Sequence, residues 1–290
     1  MKIAHLTDLH WMTPPSPTRL VGKRLLGSAN LYLRGRRRHF QREVQRAAVE
    51  RVVALAPDMV VISGDLTAQA LPEEFRLARG CLDPILSRFP TLLVPGNHDV
   101  YTRGAAREDR IRELFAPWLG EGPLGRLDLG RVTCLGLDAN RPGLFASGLL
   151  PQAQLDALGT TLSDPSLADR HLLIAIHHPV IDPAGGLYQK RSHGLLNADA
   201  LTDLIDQQRS LPEAILSGHV HRAYCATHTL PSGRRLLQLD AGAGGYAPHG
   251  DRTGTFNLYQ LDERGLSVAT QQRYSEGAYR EGPTVWARRP

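Results

Sequence analysis

Residues 58–65 read DMVVISGD, a short apolar run that ends on a glycine and a carboxylate. A run without polar alternation is typical of a strand buried on both faces. Similar runs at 2–7, 91–94, 171–176 and 214–216 also lead directly into polar motifs. The five motifs are Asp8-Leu9-His10, Gly64-Asp65, Gly96-Asn97-His98-Asp99, His177-His178-Pro179 and Gly218-His219-Val220-His221. Strands of this kind, alternating with helical patterns, predict an α/β fold.

The five motifs share a position just after a strand. Because ligand sites in α/β proteins gather at the carboxyl ends of the strands, we expect these side chains to meet at one rim of a sheet. Glycines 64, 96 and 218 are predicted to let the backbone turn tightly there. Carboxylates, an amide oxygen and imidazoles are suitable ligands for a pair of divalent cations. A single motif is more often an ordinary turn or cap, but five in this order indicate a metal site.

The ordered set DxH, GD, GNHD, HHP and GHVH resembles the calcineurin-like metallophosphoesterase superfamily over residues 3 to about 225. The resemblance implies a two-sheet β-sandwich flanked by helices, with a binuclear metal site at the C-terminal ends of the strands. It implies a first metal held by Asp8, His10, Asp65 and His221, and a second held by Asp65, Asn97, His177 and His219. Asp65 would bridge the two metals. His177 is preferred to His178 because the first histidine after the strand is the ligand in that family.

The resemblance also implies the catalytic groups. His98 would be the acid beside the leaving group and Asp99 the residue that orients it. His193, in the loop after the HHP motif, is a candidate substrate-binding residue. The remaining histidines match no motif and are interpreted as structural or surface residues: His5, His39, His171, His228 and His249.

Two divalent cations would activate a water molecule and clamp the phosphate oxygens. The cations would be Mn²⁺, Fe²⁺/Fe³⁺ or Zn²⁺, since affinity favours late transition metals while availability decides between them. The GNHD form and compact size resemble the bacterial cyclic-nucleotide phosphodiesterase-like branch, which favours a phosphodiesterase over a protein phosphatase. The alternative is a UDP-2,3-diacylglucosamine hydrolase-like enzyme acting on a lipid-linked pyrophosphate. A metal-free scaffold protein on the same fold is disfavoured, because no ligand is missing.

The chain has 290 residues, of which 42% are hydrophobic, enough for one α/β core. We predict one domain over residues 1–274, followed by a loose polar tail over 275–290. Helices are predicted at 39–55, 72–87, 151–162 and 198–209, and a strand at 132–137. Strands at 236–240, 255–261 and 266–274 are predicted to form the second sheet of the sandwich. The glycine-rich turn 241–245 is expected beside the site.

A basic segment lies directly after the first motif. Between Leu9 and Arg42 there is no acidic residue but there are eight basic ones, so the net charge of +5 would be −3 without them. Large apolar residues are interleaved with the charges. Residues 19–38 are therefore predicted to be an amphipathic insertion on an anionic membrane surface, a lid over the metals or a solvated hairpin. Nucleic acid is disfavoured as a partner, because aromatic residues for base stacking are sparse.

The cysteines indicate a reducing compartment. Cys81, Cys134 and Cys225 are odd in number and widely spaced, so they form neither a disulfide framework nor a CxxC site. The sequence shows no signal-peptide pattern at its start and no apolar run long enough to span a bilayer. We expect a cytoplasmic protein, with peripheral association with the inner face of the membrane as an extension of that prediction.

Overall fold

The computed structural model describes residues 1–16, 24–25, 36–142 and 146–289. Twelve strands in this part of the chain form two six-stranded sheets. The first sheet, in spatial order, consists of β12 (Ala278–Ala287), β11 (Gly265–Ser275), β10 (Thr255–Asp262), β1 (Lys2–Leu6), β2 (Met59–Ile62) and β3 (Thr91–Leu93). The second consists of β4 (Gly125–Leu129), β5 (Val132–Leu137), β6 (His171–Ile176), β7 (Ala214–Ser217), β9 (Arg235–Asp240) and β8 (Tyr224–Thr229).

Both sheets are mixed, and their parallel parts lie at the centre. In the first sheet β1, β2 and β3 are parallel, and β10 joins the other side of β1 in antiparallel register. In the second sheet β5, β6, β7 and β9 are parallel, and β4 and β8 are antiparallel edges. The parallel strands end at a common rim of each sheet, and all five motifs follow one of these strands.

The sheets pack face to face, and alternate residues of the central strands enter different cores. Ile3, Val61 and Leu92 of the first sheet pack with Leu173 and Leu216 of the second to form the core of the sandwich. Their neighbours along the strands face outwards and contact helices. Because both faces are covered, the strands read as nearly continuous apolar runs, as expected from the sequence.

Helices form the two outer layers. Those over the first sheet are α1 (Arg42–Leu55), α2 (Pro72–Leu86), α3 (Arg103–Arg107) and α4 (Arg110–Leu119). Those over the second are α5 (Gln152–Leu162) and α6 (Ala198–Asp206). The fold is therefore the predicted two-sheet sandwich flanked by helices. The helices α3 and α4 and the edge strands β4 and β8 were not predicted.

Two expectations about the C-terminal region are wrong. The predicted strands after residue 235 do not form one sheet, because β9 joins the second sheet while β10 and β11 extend the first. The tail is not loose either, since residues 278–287 form β12 and pair with β11. Tyr279, the main apolar anchor of this strand, is buried and donates a hydrogen bond to the Gly244 carbonyl. A polar edge strand resembles a tail in sequence because only one of its faces is covered.

Most of the basic insertion predicted at 19–38 lies outside the described residues. Within the described part, the Arg24 guanidinium donates to the backbone carbonyls of Gln69 and Ala70 at 3.3 and 3.4 Å. Leu25 beside it is 53% exposed. Among the helices that the structure describes, none combines the length and apolarity needed to cross a bilayer.

Gln238 on β9 connects the second sheet to the loop that follows β6. Its side-chain oxygen accepts hydrogen bonds from the backbone N–H groups of Val180 and Ile181, and its side-chain nitrogen donates to the Ile181 carbonyl and the Tyr224 hydroxyl. The residue is completely buried. Its removal would leave several polar groups without partners.

We expect Gln238→Ala to lower the free energy of unfolding by about 2–4 kcal/mol, because buried donors would lose their acceptor. Urea unfolding of the metal-free protein measures this. Gln260→Ala, at an exposed position of β10, should stay within about 0.5 kcal/mol of wild type. Equal stabilities for the two variants would show that the Gln238 network contributes little.

Candidate metal centre

The loops after β1 and β2 run side by side at the rim of the first sheet. The backbone N–H of Asp8 donates to the Gly64 carbonyl at 3.0 Å, and that of His10 donates to the Asp65 carbonyl at 2.9 Å. On the other side of the β1 loop, the Gly244 N–H donates to the Thr7 carbonyl at 2.8 Å. The glycine-rich turn therefore lies beside the site, as predicted.

Five motif residues have a left-handed backbone. The φ angles of Asp8, His10, Asp65, His219 and His221 are 52°, 50°, 54°, 74° and 53°. This region is unfavourable for residues with a Cβ and is concentrated at functional sites. It turns the chain sharply as each strand ends, so that the side chains point back over the rim.

The glycines of the motifs permit the close approach of these loops. A Cβ at Gly96 would lie 2.1 Å from the Asp65 nitrogen, and one at Gly218 would lie 2.0 Å from the Thr7 hydroxyl. A Cβ at Gly64 would lie 2.5 Å from the Gly96 nitrogen, and the φ angle of Gly64, 95°, also favours glycine. Any larger residue would push the ligand loops apart, which confirms the predicted role of the three glycines.

The first group of ligand-type atoms comprises Asp8, His10, Asp65 and His221, which lie within 4.8 Å of one another. Asp8 Oδ1 lies 2.9 Å from His221 Nε2 and 3.5 Å from His10 Nε2. Asp8 Oδ2 accepts hydrogen bonds from the Thr7 hydroxyl and the His219 N–H, which fixes the carboxylate and turns Oδ1 towards the group.

The second group comprises Asp65, His177 and His219. His177 Nε2 lies 3.1 Å from His219 Nδ1 and 3.1 Å from the Asn97 side-chain oxygen. His177 Nδ1 donates to the Ser63 carbonyl at 2.8 Å, so Nε2 is the nitrogen that faces the group. His178 turns away, with Nε2 3.1 Å from the Ala146 carbonyl.

Asp65 belongs to both groups and presents one oxygen to each. Oδ2 lies 3.5 Å from His10 Nε2 in the first group, and Oδ1 lies 3.4 Å from His177 Nε2 in the second. The side chain is 1% exposed. This is the arrangement required of a carboxylate that bridges two cations.

The spacing of these atoms suits divalent metals. Metal–ligand distances of about 2.1 Å place adjacent ligand atoms about 3.0–3.4 Å apart, for octahedral and tetrahedral geometry respectively. Separations in the two groups run from 2.9 to 3.5 Å. Asp8 Oδ1 is buried and has no hydrogen bond of its own. The residues present therefore fit a pair of metals.

The electrostatics agree with this fit. Burial would raise the pKa of Asp65, but the imidazoles of His177, His98 and His10 outweigh burial and hold it well below its usual range. Conversely, burial would lower the pKa of His177, but Asp65 raises it to about 10. The buried carboxylates thus require positive charge beside them. Metal cations would supply that charge, with the imidazoles as neutral ligands.

Asp99 does not orient His98 directly, contrary to the sequence-based expectation. Its carboxylate accepts hydrogen bonds from the backbone N–H groups of Leu66, Thr67 and Gly96 and from the Thr67 hydroxyl. Burial raises the pKa of Asp99 to about 6, with the nearby Asp65 charge adding to the effect. Asp99 therefore fastens the β2 loop to the β3 loop. Adjacent residues in a loop can point in different directions, so sequence adjacency alone did not show that Asp99 contacts His98.

His98 is positioned by a different contact. Its Nδ1 lies 2.6 Å from the Ala68 carbonyl, which can only accept, so we assign the proton to Nδ1. Its backbone N–H donates to Asp65 Oδ1 at 2.8 Å. The centroid of its ring lies 4.9 Å from that of His10, a candidate ligand of the first group.

A cavity of about 390 Å³ opens over both groups. It is lined by Asp65, Asn97, His98, His219 and His221, and also by Ala146, Tyr188, His193, Val220 and Arg252. The structure thus brings His193 to the mouth of the site, with its ring 5.7 Å from that of His219.

Tyr188 and Arg252 were not predicted as residues of the site, because they lie in irregular loops where no sequence pattern distinguishes them. Phe40, whose ring lies 4.3 Å from that of His10, was also not predicted as a neighbour of the site.

The family model for calcineurin-like phosphoesterases matches residues 1–223. The chain belongs to this family. The match covers every metal-ligand candidate and ends two residues after His221. The predicted resemblance is therefore confirmed.

Individual relatives are more distant. The chain is 33% identical over 168 residues to the glycerophosphodiester phosphodiesterase GpdQ of Enterobacter lignolyticus, a match that covers 57% of this chain and 56% of the relative. It is 26% identical over 171 residues to a probable cyclic nucleotide phosphodiesterase of Synechococcus, covering 58% and 60%. It is 31% identical over 180 residues to a cAMP/cGMP dual specificity phosphodiesterase of Mycobacterium tuberculosis, covering 60% and 51%. The matches thus span little more than half of these relatives.

Among solved structures, a dimetal phosphatase from Danio rerio superposes with a TM-score of 0.59 at 16% identity, over 99% of both chains. A purple acid phosphatase from yellow lupin gives the same TM-score at 14% identity, over 97% of this chain and 52% of the other. These likenesses establish the fold.

We expect Asp65→Ala to lose at least one of two bound metals and nearly all activity, because both groups share this carboxylate. Elemental analysis of protein loaded with Mn²⁺ or Zn²⁺ and then dialysed measures the loss. Asp83→Ala, which removes an exposed carboxylate on α2, should retain both metals. Active wild-type protein with only one metal would contradict the two-metal interpretation.

Proposed function

We propose that this protein is a two-metal phosphodiesterase that hydrolyses a small phosphodiester. The observation that carries the proposal is the pair of ligand groups joined by Asp65 beneath one cavity, with His98 on its wall. Family membership supports hydrolysis of a phosphate ester, and the names of the relatives point to cyclic nucleotides and glycerophosphodiesters. Cyclic nucleotides, favoured by the GNHD motif, are the first substrates to test.

The ligand assignment is part of this proposal. Asp8, His10, Asp65 and His221 would hold one metal, and Asp65, Asn97, His177 and His219 the other. When bound, the metals would supply an activated water and neutralise charge on the phosphate. Asn97 contributes a neutral oxygen, which avoids adding a further negative charge to a site that must attract an anion.

The protein's own residues then position the substrate and transfer a proton. As an imidazolium, with its Nδ1–H donated to the Ala68 carbonyl, His98 would protonate the departing alkoxide from Nε2–H and become a neutral imidazole. Asp99 would act on His98 only through the backbone, by fixing the loop that carries both residues. His193 and Tyr188 would contact the ester substituents at the mouth of the cavity.

The metal identity and cellular location are further parts of the proposal. Mn²⁺, Fe²⁺/Fe³⁺ and Zn²⁺ all suit a mixture of imidazole and carboxylate ligands. The three cysteines are unpaired, which supports a reducing, cytoplasmic location. Hydrolysis assays of protein reconstituted with each metal would compare cyclic nucleotides, glycerophosphodiesters, aryl phosphodiesters and UDP-2,3-diacylglucosamine. Absence of activity on every ester would overturn the proposed function.

We expect His98→Ala to retain both metals but to lose about 10²–10⁴-fold in kcat on alkyl phosphodiesters, because a positioned acid is removed. The loss should shrink on nitrophenyl esters, whose leaving group needs little protonation. His171→Ala is the matched control, since that ring pairs with Glu213 at the opposite end of β6. Loss of metal from the His98 variant would identify His98 as a ligand instead.

Peripheral attachment to an anionic membrane through residues 19–38 remains a proposal from sequence. If it is correct, replacing Arg34, Arg36, Arg37 and Arg38 with Gln should release the protein from anionic vesicles, since each basic residue near the surface contributes about 1 kcal/mol. Vesicle co-sedimentation at low and high salt measures this. Failure of the wild-type protein to bind vesicles would refute the attachment.

A further inference from the structure

A second, smaller cavity of about 170 Å³ adjoins the metal cavity. The two cavities share His221 and Arg252 in their walls. At about 30 Å³ for each water molecule, the smaller cavity has room for a carboxylate or a phosphate group. A ligand in it would lie next to whatever occupies the metal centre.

The wall of this cavity is built on one face of the first sheet. Gln271 and Arg273 are two residues apart on β11, so their side chains project from the same face. Thr255 of β10 is the register partner of Arg273 and shares that face. Arg252 comes from the loop that precedes β10. All four residues line the cavity.

The donors in this wall lack partners within the protein. Among the residues that the structure describes, none hydrogen-bonds or pairs with the guanidinium of Arg252 or Arg273, or with the side-chain amide of Gln271. Gln271 is only 7% exposed, and its amide atoms are not among the buried polar atoms that lack a partner, so they are accessible from the cavity. An accessible amide beside two guanidinium groups can hydrogen-bond a ligand in the cavity.

The charge in the cavity is positive. Asp251 is the one acidic residue in its described wall, and it is paired with Arg222 at 3.0 Å. Arg252 and Arg273 therefore carry charge that no carboxylate balances. Two guanidinium groups and an amide are donors suited to the oxygens of an anion.

We propose that this cavity is an anion subsite that binds a second negatively charged group, carboxylate or phosphate, on the substrate whose phosphodiester lies over the metals. The proposal rests on the proposed phosphodiesterase function and specifies its substrate class. A 3′,5′-cyclic nucleotide carries a single negative charge and would leave the subsite unused. Diesters with a second anionic group should therefore be better substrates.

Two symmetrical substrates of matched shape test this: bis(4-carboxyphenyl) phosphate and bis(4-carbamoylphenyl) phosphate. Each hydrolysis consumes one water, breaks one P–O bond and releases one phenol. Because both arms are identical, either orientation presents the charge or the amide to the subsite. The kcat/KM of the carboxylate diester divided by that of the carboxamide diester measures how much the enzyme prefers a second negative charge on the substrate.

In the metal-loaded protein we expect Arg252→Gln and Arg273→Gln each to lower this ratio roughly 10-fold, mainly through the KM of the carboxylate diester. Arg280→Gln is the control. Arg280 is the register partner of Arg273 on β12, but it pairs with Glu276 and does not line the cavity. Its replacement removes the same charge nearby and should leave the ratio unchanged.

The outcomes separate the two proposals. If wild type hydrolyses both diesters and the Arg252 and Arg273 variants keep its ratio, the subsite is refuted while the phosphodiesterase stands. An equal fall for Arg280→Gln would also refute the subsite, because it would indicate a general field effect. If wild type hydrolyses other phosphodiesters but neither of these two, the subsite is refuted; if it hydrolyses no phosphodiester at all, the phosphodiesterase proposal itself fails. A bis-phosphorylated analogue of the diester then distinguishes phosphate from carboxylate as the preferred group.

Discussion

Two carboxylates, Asp8 and Asp65, lie almost fully buried at the rim of the sandwich. Charge in such a place is very unfavourable unless it is balanced and hydrogen-bonded. Backbone N–H groups from other motif loops donate hydrogen bonds to both carboxylates, and histidine side chains contact them. The parallel strands, the tight loops and the order of the motifs all serve to bring these balancing groups to one point.

The central strands and the metal-ligand candidates could be predicted because their signals are local. A buried strand such as residues 59–62 must be apolar, and a ligand such as Asp65 must follow it directly. The left-handed turns and the glycine contacts lie within the same short motifs. Sequence spacing alone therefore indicated both the rim and the residues that gather there.

The rest depended on contacts between distant parts of the chain. The assignment of β10 to the first sheet could not be read from local pattern, because its partner β1 lies about 250 residues earlier in the chain. The strand at 278–287 was missed because an edge strand with one covered face resembles a loop. The orientation of Asp99 away from His98 depends on the β2 loop, 32 residues earlier. Arg252 is a single charge in a polar loop, and only the fold brings it to the cavity over the candidate metal centre.

The metal-ligand candidates and the donors of the proposed anion subsite come from different parts of the chain. The family match ends at residue 223, and the proposed ligands all precede that point. The donors of the proposed anion subsite come from β10, β11 and the loop before them, beyond the match. The family match therefore carries no information about this part of the chain.

The left-handed backbone at five motif positions has an evolutionary consequence. Glycine adopts this conformation without a Cβ clash, and asparagine, aspartate and histidine adopt it more often than other side chains. A descendant that no longer needed metals would therefore tolerate glycine or asparagine at these positions better than a branched or large side chain. Decay of the motifs in such a lineage would be directional rather than random at these five positions.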